Sequence, residues 1–170
     1  TGGVGVIRIS GDKSFDIAEK IFSGKISVGK INYGKIVDEN NIVMDEVILL
    51  PFKNPHSYTG EDVIEIQCHG GVKVLKNILD LILSNGARIA QRGEFTKRAF
   101  LNHKLDLSQA EAVCDLIHAK TSKFAVKSAQ NLSGVLSQKI EKIKKSIFDT
   151  LSKIIAGIDF PEDVKEPEYE

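Results

Sequence analysis

The sequence predicts an α+β domain followed by long α-helices. In the first hundred or so residues, β-branched and alternating segments typical of strands are interspersed with segments whose apolar residues recur at helical spacing. After about residue 106 only the helical spacing continues. The composition, 42% hydrophobic and 27% charged, is typical of a globular protein rather than a disordered or fibrous chain. One domain with a helical appendage is therefore expected.

The first half of the predicted domain begins with a strand, a short helix and a hairpin. Residues 4–10 are mostly apolar and β-branched, and residues 14–22 place apolar side chains at helical spacing. Two further strands are predicted at 31–37 and 47–52. The polar run 38–41 between them is typical of a turn, which makes the pair a hairpin.

The second half of the domain is predicted to contain one more strand and an amphipathic helix. Residues 63–68 alternate between apolar and polar side chains. Residues 72–83 have the apolar spacing of a helix, and Asn85-Gly86 is a typical helix end. These elements complete an α+β pattern.

Two long helices are predicted after residue 106. Ser108-Gln109-Ala110-Glu111 has the spacing of a capping box, which predicts a helix beginning at Ser108. Ser133-Gly134 offers a break before a second helix. The first stripe of apolar and small residues is Ala110, Val113, Ile117, Thr121, Phe124 and Ser128, and the second is Leu136, Ile140, Ile143, Ile147, Leu151, Ile154 and Ile158.

The charge is balanced overall but separated locally. Lys plus Arg and Asp plus Glu both number 23, so the net charge gives no general attraction to nucleic acid or membrane. Residues 118–153 contain eight lysines and two acidic residues, and residues 159–170 contain six acidic residues and one lysine. Two interpretations are open, a solvated lysine face followed by an acidic tail, or an RNA contact. The RNA contact would use Lys120, Lys123 and Lys127, or Lys142, Lys144 and Lys145.

The sequence favours a cytoplasmic protein without a membrane span. Its longest apolar stretches, such as residues 47–50, are far shorter than the roughly 20 residues that cross a bilayer. Cys68 and Cys114 lack the spacing of a disulfide framework or zinc site, which fits a reducing compartment. The chain begins at Thr1 without Met, and we interpret this as a truncated start rather than a signal peptide.

Several motifs for catalysis or metal binding fail on inspection. Residues 24–30 match the first seven positions of a phosphate-binding P-loop, but Ile31 replaces the required hydroxyl, and a strand rather than a helix is predicted to follow. The four histidines are not spaced to share a metal. Cys68 and His69 resemble a nucleophile beside a base, but neighbours on a strand point to opposite faces. We expect no catalytic residue, no GTP site and no metal site in this chain.

Two segments rich in glycine, charge and polar side chains, residues 56–71 and 92–107, have the composition of loops around a site. The first ends in Gly70-Gly71 before a predicted helix, whose exposed amides could meet an anion or a carbonyl. The second brings cations close to carboxylates in the chain, which also fits a purely structural ion-pair network. The residues concerned are Arg92, Lys97, Arg98 and Lys104 with Glu94 and Asp106.

The same two segments resemble the signature stretches of a known family, the bacterial tRNA-modifying GTPases called MnmE or TrmE. The resemblance lies in SYTGEDVIEIQCHGG at 57–71 and GEFTKRAFLNHKLDLSQAEAV at 93–113. VGVIRISG at 4–11 is similar to the family's opening strand, and DFPED at 159–163 to a later acidic stretch. Arg92 departs from the proline that usually precedes Gly-Glu-Phe in the family.

The resemblance implies a fold and a set of ligand contacts. Residues 1–105 would form a tetrahydrofolate-binding and dimerisation domain with a mixed β-sheet, similar to the glycine-cleavage aminomethyltransferases. Residues 106–170 would be the first part of a helical domain. The family's folate contacts fall on Arg8, Glu65 and Lys104, and the cofactor would be 5-formyl- or 5,10-methylene-tetrahydrofolate. A carboxylate suits the donor edge of a pterin, whereas Arg8 and Lys104 could serve the pterin or the glutamate tail.

The resemblance also implies a parent protein with further partners. In the family, a GTPase domain that uses GTP, Mg2+ and K+ is inserted in the helical region, and a flavin-containing protein joins the complex. Together they modify carbon 5 of the wobble uridine of tRNA. Two alternatives are a stand-alone folate-dependent aminomethyltransferase, which the long helices disfavour, and a helical module that binds RNA or protein, which the glycine-rich segments disfavour.

Overall fold

The computed structural model describes residues 2–159. The chain divides into two compact units, one up to Leu105 and one from Asp106 onward. The predicted acidic tail lies outside the described residues, apart from Asp159. So does the DFPED stretch.

The first unit is built on a five-stranded sheet in which the strand order is β1-β5-β4-β3-β2. All four pairings between neighbouring strands are antiparallel. The strands are β1 (Val4–Ser10), β2 (Phe22–Ser23), β3 (Asn32–Val37), β4 (Val43–Phe52) and β5 (Val63–His69).

Three helices belong to the first unit: α1 (Ser14–Ile21), α2 (Val72–Ser84) and α3 (Glu94–Leu101). Helices α1 and α2 pack on one face of the sheet, where alternate strand residues are buried. The core therefore lies between the sheet and these two helices. Its fully buried members include Ile36, Leu49, Ile64, Ile66, Ile78 and Ile82.

The predicted α+β fold class is confirmed, but the sheet is antiparallel rather than mixed. A helix between two strands produces a parallel pair only when those strands are neighbours in the sheet. Helix α1 instead carries the chain from β1 at one edge to β2 at the other edge. Strands β3 and β4 form the predicted hairpin, although β4 begins at Val43, four residues earlier than predicted. Part of the segment 92–107 that composition assigned to a loop is helix α3.

Over its described residues, 106–159, the second unit contains three helices, where two were predicted: α4 (Leu107–Ile117), α5 (Ser122–Leu132) and α6 (Val135–Asp159). The stripe assigned to one helix is divided because Thr121 caps a new helix, accepting a hydrogen bond from the Phe124 amide. The break before α6 lies at Gly134, whose φ of 89° favours glycine.

The cap of α4 lies two residues before the predicted one. The Asp106 carboxylate accepts from the Gln109 amide at 2.9 Å, and the Gln109 side chain accepts from the Asp106 amide at 3.0 Å. This is a complete capping box. Ser108, the predicted cap, donates its hydroxyl to Asp106 instead. Asp106 is the cap rather than Ser108 because Asp106 and Gln109 have the same capping-box spacing two residues earlier, and because the Asp106 carboxylate places a negative charge at the positive end of the helix dipole.

Candidate functional site

Two of the three predicted folate contacts, Arg8 and Glu65, meet on the face of the sheet opposite α1 and α2. Arg8 on β1 lies directly across from Glu65 on β5 in the antiparallel register. Arg8 Nε donates to Glu65 Oε2 at 2.8 Å, and Gln67 Nε2 donates to the other carboxylate oxygen at 3.0 Å. The Arg8 side chain is half exposed, whereas that of Glu65 is only 15% exposed.

The environment of Glu65 keeps it ionised. Partial burial by itself would raise the pKa of the carboxyl group, but the hydrogen bonds from Gln67 and Arg8 and the charge of Arg8 outweigh it. The pKa of Glu65 is therefore lowered from its ordinary value. A carboxylate with about four acceptor positions, two of them used, can still accept two hydrogen bonds from a ligand.

The sheet face around this pair carries exposed apolar side chains. The register aligns Val6, Gln67, Ile48 and Tyr33 in one row across β1, β5, β4 and β3. Val6 is 49% exposed, Ile48 37% and Tyr33 71%. We call this surface the open face of the sheet, defined by this row together with Arg8 and Glu65.

A loop at residues 53–62 borders the end of the sheet near this pair. Asp62 closes the base of the loop by accepting from the Asn54 amide at 2.9 Å and from Lys53 Nζ at 2.5 Å. The hydrogen bond from the Asn54 amide is the main cause of a lowered pKa for Asp62. Inside the loop, Thr59 is fully buried.

Lys104, the third predicted contact, lies against this loop. Its Nζ donates to the carbonyl oxygen of Pro55 at 3.1 Å. Its stem lies beside Gly60, where an added Cβ would be 3.1 Å from Lys104 Cγ and from Asn102 Cβ. Gly60 also has a φ of 76°, so both its conformation and its space favour glycine. Lys104 makes no hydrogen bond or ion pair with Arg8 or Glu65 among the described residues.

An ion-pair network connects the loop to α3. Glu94, the first residue of α3, is bound by Arg88 and Arg98, with Arg98 Nη2 at 2.8 Å from Glu94 Oε1. The hydrogen bond from Arg88 is the main cause of a strongly lowered pKa for Glu94. Arg98 Nη1 also lies 2.8 Å from Glu61 Oε2 in the loop.

This network corrects the pairing suggested by sequence proximity. Of the cations near Glu94 in the chain, Arg98 pairs with it, whereas Arg92 and Lys97 take part in no ion pair within residues 2–159. Arg88 and Glu61 were missed. Arg88 is six residues before Glu94, in a connecting segment that lies outside the helices and strands and has no periodic pattern. Glu61 is 37 residues before Arg98, so these two residues come together only in the folded chain.

At the other end of β5, a carboxylate on β4 pairs with an imidazole. Asp45 accepts from the His69 amide at 2.8 Å and from His69 Nδ1 at 2.6 Å. Desolvation raises the pKa of Asp45, but these hydrogen bonds and that from the Glu46 amide lower it overall. Cys68 is buried on the opposite face, as strand alternation requires, and burial raises the pKa of its thiol.

A cavity of about 740 Å³ lies along the outer edge of β1, between that strand, α1, α2 and α3. Its floor is aliphatic, from side chains such as Ile17, Leu79 and Ile82. Arg8 borders it, but Glu65 and Lys104 do not. The cavity is therefore separate from the Glu65 carboxylate.

Within residues 2–159, no group of three or more His, Cys, Asp or Glu side chains could hold a metal ion. Every helix within the same range is too short or too polar to span a lipid bilayer.

The fold and these contacts define a class of protein: an antiparallel α+β unit with a charged pair on its open sheet face, followed by a helical unit. Residues 1–104 match the family described as GTP-binding protein TrmE N-terminus, and residues 107–170 match the MnmE helical domain. The chain belongs to this family.

Similar proteins support the same assignment. The tRNA modification GTPase MnmE of Acetivibrio thermocellus is 54% identical over 97% of this chain and 38% of its own length. The proteins of the same name from Clostridioides difficile and Fervidobacterium nodosum are 53% and 44% identical, over 95% and 99% of this chain and 37% and 38% of their own lengths. The chain thus spans little more than a third of the relatives that it matches.

Proposed function

We propose that this chain binds a one-carbon tetrahydrofolate, 5-formyl- or 5,10-methylene-tetrahydrofolate, as the folate-binding part of a tRNA modification GTPase. The observation that carries the proposal is the ion pair between Arg8 and Glu65 on the open face of the sheet. In this pair the Glu65 carboxylate is ionised and partly buried. The resemblance to the family implies folate contacts at these two residues and at Lys104, which supports the proposal. The donor set suits a pterin edge and anionic carboxylates.

The three residues would have different tasks. Glu65 would accept the paired donors of the pterin on the acceptor positions that Arg8 and Gln67 leave open. Arg8 would stay beside Glu65 and balance its charge. Lys104, which lies against the loop and makes no contact with Glu65 among the described residues, would serve the glutamate carboxylates of the folate tail. The bound folate would supply the one-carbon unit, and the protein would contribute mainly its orientation.

Isothermal titration of the chain with 5-formyltetrahydrofolate tests this proposal. We expect saturable binding to folded protein. No heat of binding at high micromolar ligand, in a protein shown to be folded and dimeric, would refute it.

We propose that the open face of the sheet is where a second copy of the chain packs. The row of Val6, Ile48 and Tyr33 offers apolar side chains to a partner, and a symmetric dimer would cover them. A dimer would also lower the dielectric around Glu65 and strengthen its contacts with a ligand. Sedimentation of the protein and of Ile48→Lys tests this: the variant should be monomeric, and an unchanged mass would refute the placement.

We propose that the parent protein acts on tRNA in the cytoplasm. There it would work with a flavin-containing partner and a GTPase domain that uses GTP, Mg2+ and K+, to modify carbon 5 of the wobble uridine. The exposed lysines of the second unit would contact the tRNA backbone, through Lys120, Lys123 and Lys127 or through Lys142, Lys144 and Lys145.

The tRNA contact is tested by measuring tRNA affinity against salt concentration. Each phosphate contact adds about 0.9 or less to the slope of log affinity against log salt, so replacing Lys123 and Lys127 with Gln should reduce it by up to about 2. The matched control is Lys25→Gln with Lys30→Gln in the first unit, which should leave the slope unchanged. Binding that did not depend on salt would exclude a contact with the phosphate backbone.

A further inference from the structure

We infer that Arg98 is a positioning residue for the folate site: its ion pair with Glu61 holds the loop 53–62, and through the loop both Ser10 and Lys104, in place. The inference rests on the proposed folate function.

Arg98 links a helix to the loop through both sides of its guanidinium group. Nη1 lies 2.8 Å from Glu61 Oε2 in the loop, and Nη2 and Nε lie 2.8 and 3.1 Å from Glu94 Oε1 on α3. The side chains of Arg98 and Glu61 are only 30% and 25% exposed. A planar, five-donor group in this setting fixes two carboxylates in a defined geometry, which a lysine cannot do with one ammonium group.

From Glu61 the contacts continue to the strand that carries Arg8. The Glu61 carboxylate accepts from Ser10 Oγ at 2.8 Å, so the hydroxyl of buried Thr59 must donate to Ser10 Oγ at 2.7 Å. Thr59 Oγ1 in turn accepts from the Glu61 amide. Ser10 is two residues beyond Arg8 on the same strand and therefore on the same face. The loop is thus tied to the end of β1 that carries Arg8, the ion-pair partner of the proposed pterin contact Glu65.

The same loop sets the position of Lys104. Its stem packs beside Gly60 and its ammonium group donates to Pro55. Asn102 Nδ2 donates to the carbonyl oxygen of Thr59 at 2.7 Å, which fixes the chain two residues before Lys104. If the loop moved, both the partner and the packing surface of Lys104 would move with it.

The chain contains a matched control for Arg98. Arg88 binds the same Glu94 carboxylate, but it makes no ion pair with Glu61 among the described residues, and its side chain is 63% exposed. Arg88→Gln removes one guanidinium group from Glu94 and leaves the ion pair between α3 and the loop intact. Arg98→Gln removes that ion pair as well.

The experiment measures two quantities in wild type, Arg98→Gln, Arg98→Lys and Arg88→Gln: affinity for 5-formyltetrahydrofolate by titration, and hydrogen exchange of the amides of residues 56–61. We expect Arg98→Gln to bind 5-formyltetrahydrofolate about 10-fold more weakly, because the loop and Lys104 would then have to become ordered when the ligand binds, at a cost in free energy. We also expect the amides of residues 56–61 to exchange faster in this variant. Arg98→Lys should recover part of the affinity. Arg88→Gln should stay within about twofold of wild type in affinity.

The outcomes separate this inference from the proposed function. Absence of folate binding by the folded wild type refutes the function and the positioning role together. If the wild type binds folate, the positioning role alone is overturned by any of three results. These are wild-type affinity in Arg98→Gln, a loss of affinity in Arg88→Gln as large as that in Arg98→Gln, and faster exchange of the amides in Arg98→Gln without a loss of affinity. If Arg98→Gln fails to fold, Glu61→Gln breaks the same ion pair from the loop side and must show the same loss.

Discussion

Replacement of Glu65 by Gln should weaken folate binding strongly while leaving the fold almost unchanged. Gln keeps the size of the side chain but loses the charge and one acceptor oxygen, so the donor edge of a pterin loses a charge-assisted pair of hydrogen bonds. Hydrogen bonds to charged groups contribute about 1.5–3 kcal/mol, which corresponds to a loss in affinity of about 10- to 100-fold. The pair with Arg8, which is half exposed, contributes at most about 1 kcal/mol to the free energy of unfolding.

The assay is titration with 5-formyltetrahydrofolate, accompanied by urea unfolding of the same samples. Glu46→Gln is the matched control, because the Glu46 carboxylate also has partners on the neighbouring strand: it accepts a hydrogen bond from the Tyr33 hydroxyl at 2.6 Å and forms an ion pair with Lys35 at 3.6 Å. We expect this control to bind folate like wild type. Wild-type affinity in Glu65→Gln would refute the assignment and leave Glu65 as a structural residue that pairs β1 with β5.

Three further predictions concern stability. Gly70→Ala should lower the free energy of unfolding, measured with urea, by about 1–3 kcal/mol, because its Cβ would lie 2.0 Å from the carbonyl oxygen of Gly2. Gly71→Ala should cost less, because the nearest atom to its Cβ is at 3.6 Å and it loses only the preference for glycine over alanine at the N-cap of α2. Asp106→Ala should cost about 0.5–2 kcal/mol through loss of the α4 cap, seen as faster hydrogen exchange in the first turn; unchanged exchange would contradict the capping role. The pKa of Asp45 is lower in the folded protein than its ordinary value in an unfolded chain. The ionised Asp45 carboxylate therefore stabilises the fold fully above that ordinary pKa, and this stabilisation is lost as the pH falls through the lowered pKa. The acid side of the stability curve, measured by unfolding at successive pH values, should therefore be shallower in Asp45→Asn, and an identical curve would contradict this linkage.

Much of the first unit could be predicted because its elements have strong local patterns. Strand β1 begins and ends at the predicted residues, and α1, β5 and α2 end within one residue of theirs. These segments pair a clear apolar period with nearby turn residues. The early start of β4 was missed because residues 43–46 contain Met, Asp and Glu, whose preference for strands is weak. Hydrogen bonding to β3 holds these residues in a strand where their own preference would not.

The two errors in the helical unit have a common physical cause, which is that the local signals for a helix boundary are ambiguous. Asp106 and Ser108 both precede a Gln or Glu by three residues, and the sequence alone does not rank the two caps. The apolar spacing from Ala110 to Ser128 runs unbroken through a helix boundary at Thr121, because a break of four residues preserves the helical phase. Contacts such as Arg98 with Glu61 depend on tertiary structure and carry no local signal at all.

The register of the sheet makes the core and the proposed site inseparable. Ile7 and Ile9 on β1 and Ile64 and Ile66 on β5 are buried, and their alternation fixes which residues of each strand face the helices. A slip of one residue would turn Arg8 into the core and an isoleucine to the surface, at a cost that excludes it. Glu65 therefore meets Arg8 because the isoleucines beside both of them must be buried. A core substitution that loosened this register should reduce folate binding even though it touches no ligand atom, in proportion to the loss of protection of the β1 and β5 amides.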